Sequence, residues 1–437
     1  MLMTTSELMV QQWQMYQEYR PTFPELGPVR LISYFQMEMS GDILRVATLL
    51  AILLLSSICT GCFGGESDDE FDWPDPISDG CQLNFDLECS TMLQLGETAH
   101  HSIINPIDGK MWIIFLGGMI KSWDGEDLED VGDLSGIVSR CHMEQGLLGL
   151  SFDDDFENSG LVLLSYVEDG TCEGENRSDL VLSSAKLGEN GGVDIDSITV
   201  LKRIEQPYRN HNGGFLLHAG NGSYLWGVGD GGSANDPHSN GQDQSNPLGT
   251  IQLFKFRDNE IESVLDNSTG DPYILHHGLR NPWRFDIGSS GDLWIADVGQ
   301  NCWEEVNLVS LGERANLGWS DREGFQEFHE DVSCTDVREE EKIGLTDPVL
   351  AYSHENGNCS ITGGFWMDWG PEILQNGYLY GDFCTGSLWI LEETDGTWSE
   401  TYVGNSGGMI VGFGKGMNEE IIIFHWTGDI IKIHQKF

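Results

Sequence analysis

Residues 208–214 read Tyr-Arg-Asn-His-Asn-Gly-Gly and lead straight into the apolar run Phe215-Leu216-Leu217. His211 thus stands among polar neighbours at the mouth of a strand. An imidazole with an ordinary pKa near ~6.5 is neutral at pH 7, so it can take a proton from a hydroxyl there. Further groups suited to chemistry recur at the ends of strand-like stretches: Asp230 after "YLWGVG", Asp297 after "DLWIA" and Asp382 after "GYLYG". Taken singly, each aspartate reads as a turn cap bonded to nearby backbone amides. Catalysis requires an architecture that gathers such strand ends at one place.

One phrase recurs along the chain and supplies it. "DGKMWIIFLGGMIKSW" (108–123), "NGSYLWGVGDGG" (221–232), "SGDLWIADVGQ" (290–300), "NGYLYGDFCTGSLWIL" (376–391) and "NEEIIIFHWTGDIIKI" (418–433) share a plan. A Gly, Asn or Asp turn opens into a short apolar or aromatic strand, followed by another turn and often another strand. Such units predict an all-β fold of repeated four-stranded antiparallel sheets, a β-propeller. In a propeller the loops joining inner strands converge on one face. Composition agrees: 55 glycines accompany 14 tryptophans, 11 tyrosines and 19 phenylalanines. Long helices are hard to place, and the best candidate in the mature chain lies around Val337–Ile343.

The formal net charge of −49 repels phosphate backbones and argues against a nucleic-acid partner. It suits a strongly hydrated surface, and some carboxylates could bind hard cations such as calcium. "VATLLAILLLSSIC" (46–59), preceded by Arg45, is short for a membrane span of roughly 20 residues and fits the core of a secretory signal. Cys62, after Thr60-Gly61, has the setting of a lipid-accepting cysteine. The expected organisation is a leader over 1–61, a flexible acidic tether over 62–80 and a propeller domain over 81–437. Residues 1–36 have no role in this picture, and a start at Met37 or Met39 gives the signal a normal length. The product is expected outside the cytoplasm, tethered to the membrane through Cys62, or secreted after a plain signal cleavage.

Export makes the cysteines informative. Beyond the leader there are eight: Cys81, Cys89, Cys141, Cys172, Cys302, Cys334, Cys359 and Cys384. An even number in an oxidising compartment suggests disulfides, whose connectivity the sequence does not fix. Proximity alone pairs Cys81–Cys89, Cys141–Cys172, Cys302–Cys334 and Cys359–Cys384. Glycosylation sequons stand at Asn176, Asn221, Asn267 and Asn358.

Four segments together carry a resemblance. They are "EQGLLGLSFDDDF" (144–156), "RNHNGGFLLHAGNGSYLWGVGDGG" (209–232) trailed by "GQDQSNPLGTI" (241–251), "HHGLRNPWRFDIGSSGDLWIADVGQNCWEEVNLVSLGERANLGW" (276–319) and "PVLAYSHENGNCSITGGFWM" (348–367). They resemble the glucose/sorbosone dehydrogenase family, which includes soluble quinoprotein sugar dehydrogenases, and the likeness runs from Leu93 to Lys432. It implies a six-bladed propeller that binds pyrroloquinoline quinone and calcium at the channel mouth and oxidises an aldose or related alcohol, passing electrons on to an acceptor. By the same resemblance His211 is the general base and Arg280 faces the quinone carbonyls. Asn281 orients, Glu144 and Asn210 lie beside the cofactor, and Gly213-Gly214 allow close backbone approach. Calcium would lie on the backbone carbonyls of Gly299 and Gln300, and a second position would use Glu304 and Glu305.

The chain departs from the pattern in two places. Asn210 stands where sugar-oxidising relatives often have aspartate. Of the late lysine and paired arginines that grip the quinone carboxylates, the stretch 404–420 offers only Lys415, leaving Arg209, Arg280 and Arg284 as candidate cations. Two other functions fit these departures: a non-enzymatic propeller that binds a glycan or protein, as the hedgehog-interacting proteins bind, and a calcium-dependent lactonase.

Overall fold

The computed structural model describes residues 80–172, 178–266, 270–329, 334 and 343–436. The leader with Cys62, the tether up to residue 79, Asn176, Asn267 and all of the 337–343 helix candidate except Ile343 lie outside the described residues.

The chain folds into antiparallel meanders of four strands, taken in sequence order. The first is Ala99–Ile104, Met111–Phe115, Met119–Trp123 and Leu128–Asp133, and the second is Leu147–Phe152, Leu161–Val167, Leu180–Leu187 and Val193–Ile204. The third is Gly213–Gly220, Ser223–Val228, Thr250–Arg257 and Ile274–His277; the fourth is Pro282–Ile287, Asp292–Asp297, Trp303–Ser310 and Leu350–Ser353. The fifth is Ile361–Trp366, Gly377–Asp382, Ser387–Thr394 and Thr397–Asn405. A closing meander takes Ile410–Lys415, Ile421–His425 and Asp429–Gln435 from the end of the chain, and its fourth strand, Leu87–Gln94, from the beginning. Among the described residues the only α-helix is the four-residue Phe156–Ser159.

Strand periodicity explains why these segments read as continuous apolar runs. Successive side chains point to opposite faces of a sheet, and here both faces are covered. Trp112 and Ile114 pack toward the second meander, while Met111, Ile113 and Phe115 pack toward the closing one. The same arrangement recurs around the molecule, so that each core is shared by two consecutive meanders and the last returns to the first. The result is a closed ring, a β-propeller. The early aromatics of the recurring phrase are the wedges between sheets. Trp294 of the fourth meander stacks on Tyr378 (4.9 Å between ring centres) and Trp366 (5.4 Å) of the fifth.

All four disulfides join the cysteines that proximity pairs: Cys81–Cys89, Cys141–Cys172, Cys302–Cys334 and Cys359–Cys384. They are consistent with an extracellular protein.

Candidate active site

Three connections meet around His211. It stands two residues before the first strand of the third meander, with the uncommon positive φ of 55°. Its backbone N–H donates to Glu144 Oε2 at 2.6 Å, which ties it to the turn ahead of the second meander. Gly229 makes room for the turn, because a Cβ there would sit 1.9 Å from the His211 carbonyl oxygen. Gly214 has a similar reason: its Cβ would collide with the Leu148 side chain at 2.5 Å. The close approach expected at this glycine is therefore to the neighbouring sheet.

The imidazole is buried, and its Nδ1–H donates to Asp230 Oδ1 at 2.7 Å. A carboxylate can only accept here, so Nδ1 carries the proton and Nε2 presents its lone pair. Nε2 has no hydrogen-bond partner among the described residues. Asp230 is itself held by the Gly232 N–H (2.9 Å) and the Trp319 indole N–H (2.9 Å). The imidazole therefore has Nδ1 engaged and Nε2 open. Asp230 does more than cap a turn: it holds the His211 ring in place. Asp297 and Asp382 do serve the backbone. Asp297 accepts the Arg280 and Asn281 N–H groups at 2.9 and 2.7 Å, and Asp382 accepts those of Cys359, Ser360 and Thr385. Burial pushes the Asp297 carboxyl up to about 7 despite those donors.

Arg280 and Asn281 belong to the same cluster. The Arg280 carbonyl accepts the Asp230 N–H at 2.8 Å. Asn281 bridges the Gly213 N–H (3.1 Å) and Glu144 Oε2 (3.4 Å). The Arg280 guanidinium lies 5.6 Å from the Trp319 ring centre and gives one N–H to the Val298 carbonyl at 3.0 Å, while its buried Nε–H has no partner. Asn210 stands one residue before His211, and its Oδ1 accepts the Ser233 N–H at 3.0 Å. No carboxylate stands at that position, but Asp230 places one on the imidazole itself.

The 299–303 loop is wrapped around a residue the sequence reading passed over. Glu323 Oε1 accepts the N–H groups of Gln300, Asn301, Cys302 and Trp303, at 2.6, 2.7, 3.0 and 3.4 Å. In a trans peptide the carbonyl opposes the N–H, so the Gly299 and Gln300 carbonyls point away from Glu323. The Gln300 side chain is paired with Asn235.

Glu304 and Glu305 are buried and already engaged. Glu304 accepts from His354 Nε2 (2.6 Å), the Ile361 N–H (2.8 Å) and the Gly299 N–H (3.2 Å); Glu305 accepts from the Gly324 N–H (2.5 Å) and Asn307 (3.2 Å). Burial raises both carboxyls above their ordinary range, Glu305 strongly, with nearby Asp297 adding to it. Among the described residues no group of three or more His, Cys, Asp or Glu side chains is placed to hold a metal ion. Glu304 thereby anchors the start of the loop at Gly299, and Glu305 anchors the chain at Gly324.

The quinone implied by the resemblance needs a proton acceptor beside donors for its carbonyls. The open His211 Nε2 and the orphaned, buried Arg280 Nε–H fit that requirement. Lys415 does not contribute: it ends the first strand of the closing meander, 3.8 Å from Glu419 and 4.6 Å from the Trp369 ring centre. Arg284 is turned into the ring, against His100 and Trp283. Arg209 donates to the Cys172 carbonyl.

Comparison with known proteins follows the same lines. HIPL2 protein of Arabidopsis thaliana is 25% identical over 422 residues, covering 77% of this chain but only 57% of the plant protein, so the chain spans under three fifths of that relative. The apo-form soluble aldose sugar dehydrogenase of Escherichia coli superposes with a TM-score of 0.65 at 19% identity, covering 80% of this chain and 99% of that one. The PQQ-bound aldose sugar dehydrogenase of Streptomyces coelicolor gives 0.60 at 16% identity, covering 80% and 98%. These structural likenesses establish the fold. The sequence profile of the glucose/sorbosone dehydrogenase family matches residues 101–390, and the chain belongs to that family.

Proposed function

We propose that the chain is an exported quinoprotein-type dehydrogenase that oxidises an aldose or a related alcohol. The observation that carries this reading is the Asp230–His211 pair, with Nδ1 bonded at 2.7 Å and Nε2 open. Pyrroloquinoline quinone, when bound, supplies the hydride acceptor. His211 takes the substrate hydroxyl proton at Nε2, and Asp230 holds the tautomer and stabilises the imidazolium that results. Arg280 provides a fixed positive charge beside the base, where negative charge develops during oxidation. Glu144 holds the His211 N–H, and Asn281 ties that carboxylate to the Gly213 N–H. Calcium, as a hard cation, would be held by the outward carbonyls of Gly299 and Gln300.

Export is supported by the apolar run 46–59 and by the four disulfides, and attachment through Cys62 belongs to the same proposal. The remote Lys415 favours a second reading, a non-enzymatic propeller that binds a glycan or protein at the same face. The test is reconstitution with the quinone and calcium, followed by dye reduction with a panel of sugars. Sugar-dependent reduction that disappears in His211→Ala supports the dehydrogenase. Glycan binding without turnover, unchanged in His211→Ala, supports the second reading.

A further inference from the structure

A cavity of about 350 Å³ lies on the axis of the ring. The first strand of every meander contributes to its wall, through residues such as Ser102, Ser151, Phe215, Arg284, Phe365 and Phe413. His211 and Arg280-Asn281 precede the starts of such strands. The cavity instead runs from Arg284 to His218 and Lys415, near their other ends. It is therefore separate from the His211 site.

Arg284 is only 3% exposed, and among the described residues no carboxylate pairs with it. Its guanidinium donates to the Trp283 carbonyl at 2.8 Å, to His100 Nδ1 and to the His100 carbonyl at 3.3 Å. The rings of Phe215 and Trp283 flank it, each centred 4.7 Å away. Its Nε–H has no partner, nor does the buried hydroxyl of Ser102, which also lines the cavity. A buried cation with an unused donor and no counter-ion is costly unless something of opposite charge joins it. Burial alone pulls its pKa down to about 9, which leaves it charged at neutral pH.

We propose that the channel binds a small organic monocarboxylate, with one carboxylate oxygen on the Arg284 Nε–H and Ser102 hydroxyl and its apolar body among the phenylalanines. One charge is what the buried end of the site can neutralise: Lys415, at the far end of the same lining, already lies 3.8 Å from Glu419, and the Asp286 carboxyl, which also lines the cavity, accepts the Trp366 N–H at 2.9 Å. The neighbouring His101 gives its Nδ1–H to the Phe413 carbonyl at 3.1 Å, and burial holds the ring neutral, with a pKa of about 3. Phe215, Phe285, Phe365 and Phe413 on the wall favour a ligand with an apolar tail over a bare halide.

The experiment is calorimetric titration of the mature chain, in a buffer without carboxylates, with sodium hexanoate, 1-hexanol and sodium chloride. Hexanoate is expected to bind about tenfold or more tightly than hexanol, because a charge-assisted hydrogen bond is worth that factor. Chloride should bind more weakly than hexanoate. Arg284→Met should abolish the difference between hexanoate and hexanol, and His211→Ala should leave it unchanged. Absence of hexanoate binding, equal binding of hexanol or chloride, or full binding by Arg284→Met would overturn the proposal. The wild-type comparison of the three ligands decides the matter if the Arg284 variant does not fold.

Discussion

His211 and Asp230 stand 19 residues apart in sequence and 2.7 Å apart in the fold. Asp230→Asn tests what that contact does. An asparagine amide would donate to Nδ1, moving the ring proton to Nε2 and removing the lone pair that accepts the substrate proton. We expect kcat to fall by roughly a hundredfold or more, with KM changed by less than about threefold, in steady-state dye-reduction assays. A kcat within threefold of wild type would mean that the pair is not used in this way. His211 could be singled out in the sequence because its motif is contiguous. Asp230 could be read only as a turn cap, and Trp319, which fixes its second oxygen, comes from a distant connection, just after Ala315–Asn316, which pairs with His276-His277 of the third meander. Partnerships of this kind depend on packing between neighbouring meanders, which local pattern does not encode.

Elements were easier to read than contacts. In the structure the recurring phrase marks the second strand of a meander: Met111–Phe115, Ser223–Val228, Asp292–Asp297, Gly377–Asp382 and Ile421–His425. Its early aromatics were visible because a strand buried on both faces is apolar throughout. The second meander was not among the five phrases, although its second strand, Leu161–Val167, is a buried run of the same kind. The 299–303 loop was recognised by motif, but its support was not, because Glu323 lies 20 to 23 residues downstream, in the two-residue strand Arg322–Glu323. Glu323→Ala leaves four backbone donors without their acceptor. It should destabilise the protein by about 2–3 kcal/mol and speed hydrogen exchange at residues 300–303. Unchanged exchange there would remove Glu323 from the account of the loop.

At the scale of the molecule, the ring is closed by Leu87–Gln94 pairing with Asp429–Gln435, two strands from opposite ends of the described chain. No periodicity announces such a pairing, whereas the meanders it joins are local. A chain lacking residues 80–94 should show a midpoint of thermal unfolding lower by roughly 5 °C or more, because an edge and an apolar face are uncovered. An unchanged midpoint would contradict closure by this strand. A pH dependence also follows from burial. Burial raises the Asp286 carboxyl to about 7, against the Trp366 and Ile287 N–H groups that favour its charge, with Asp368 adding to the rise. The folded state therefore holds a proton that the unfolded state releases near pH ~4. Its contribution to stability is full below that value and is lost as pH rises through about 7. Relative to Asp286→Asn, wild type should lose stability between pH ~4 and ~8 in denaturant melts, and parallel profiles would refute the assignment.

The central claim is that His211 removes a proton during alcohol oxidation. It is tested most directly by loading wild type and His211→Asn with pyrroloquinoline quinone and calcium, then following reduction of the bound quinone in a single turnover with an oxidisable sugar. The account predicts that both proteins bind the quinone and that the variant reduces it at least about a hundredfold more slowly. Equal single-turnover rates in the two proteins would contradict it.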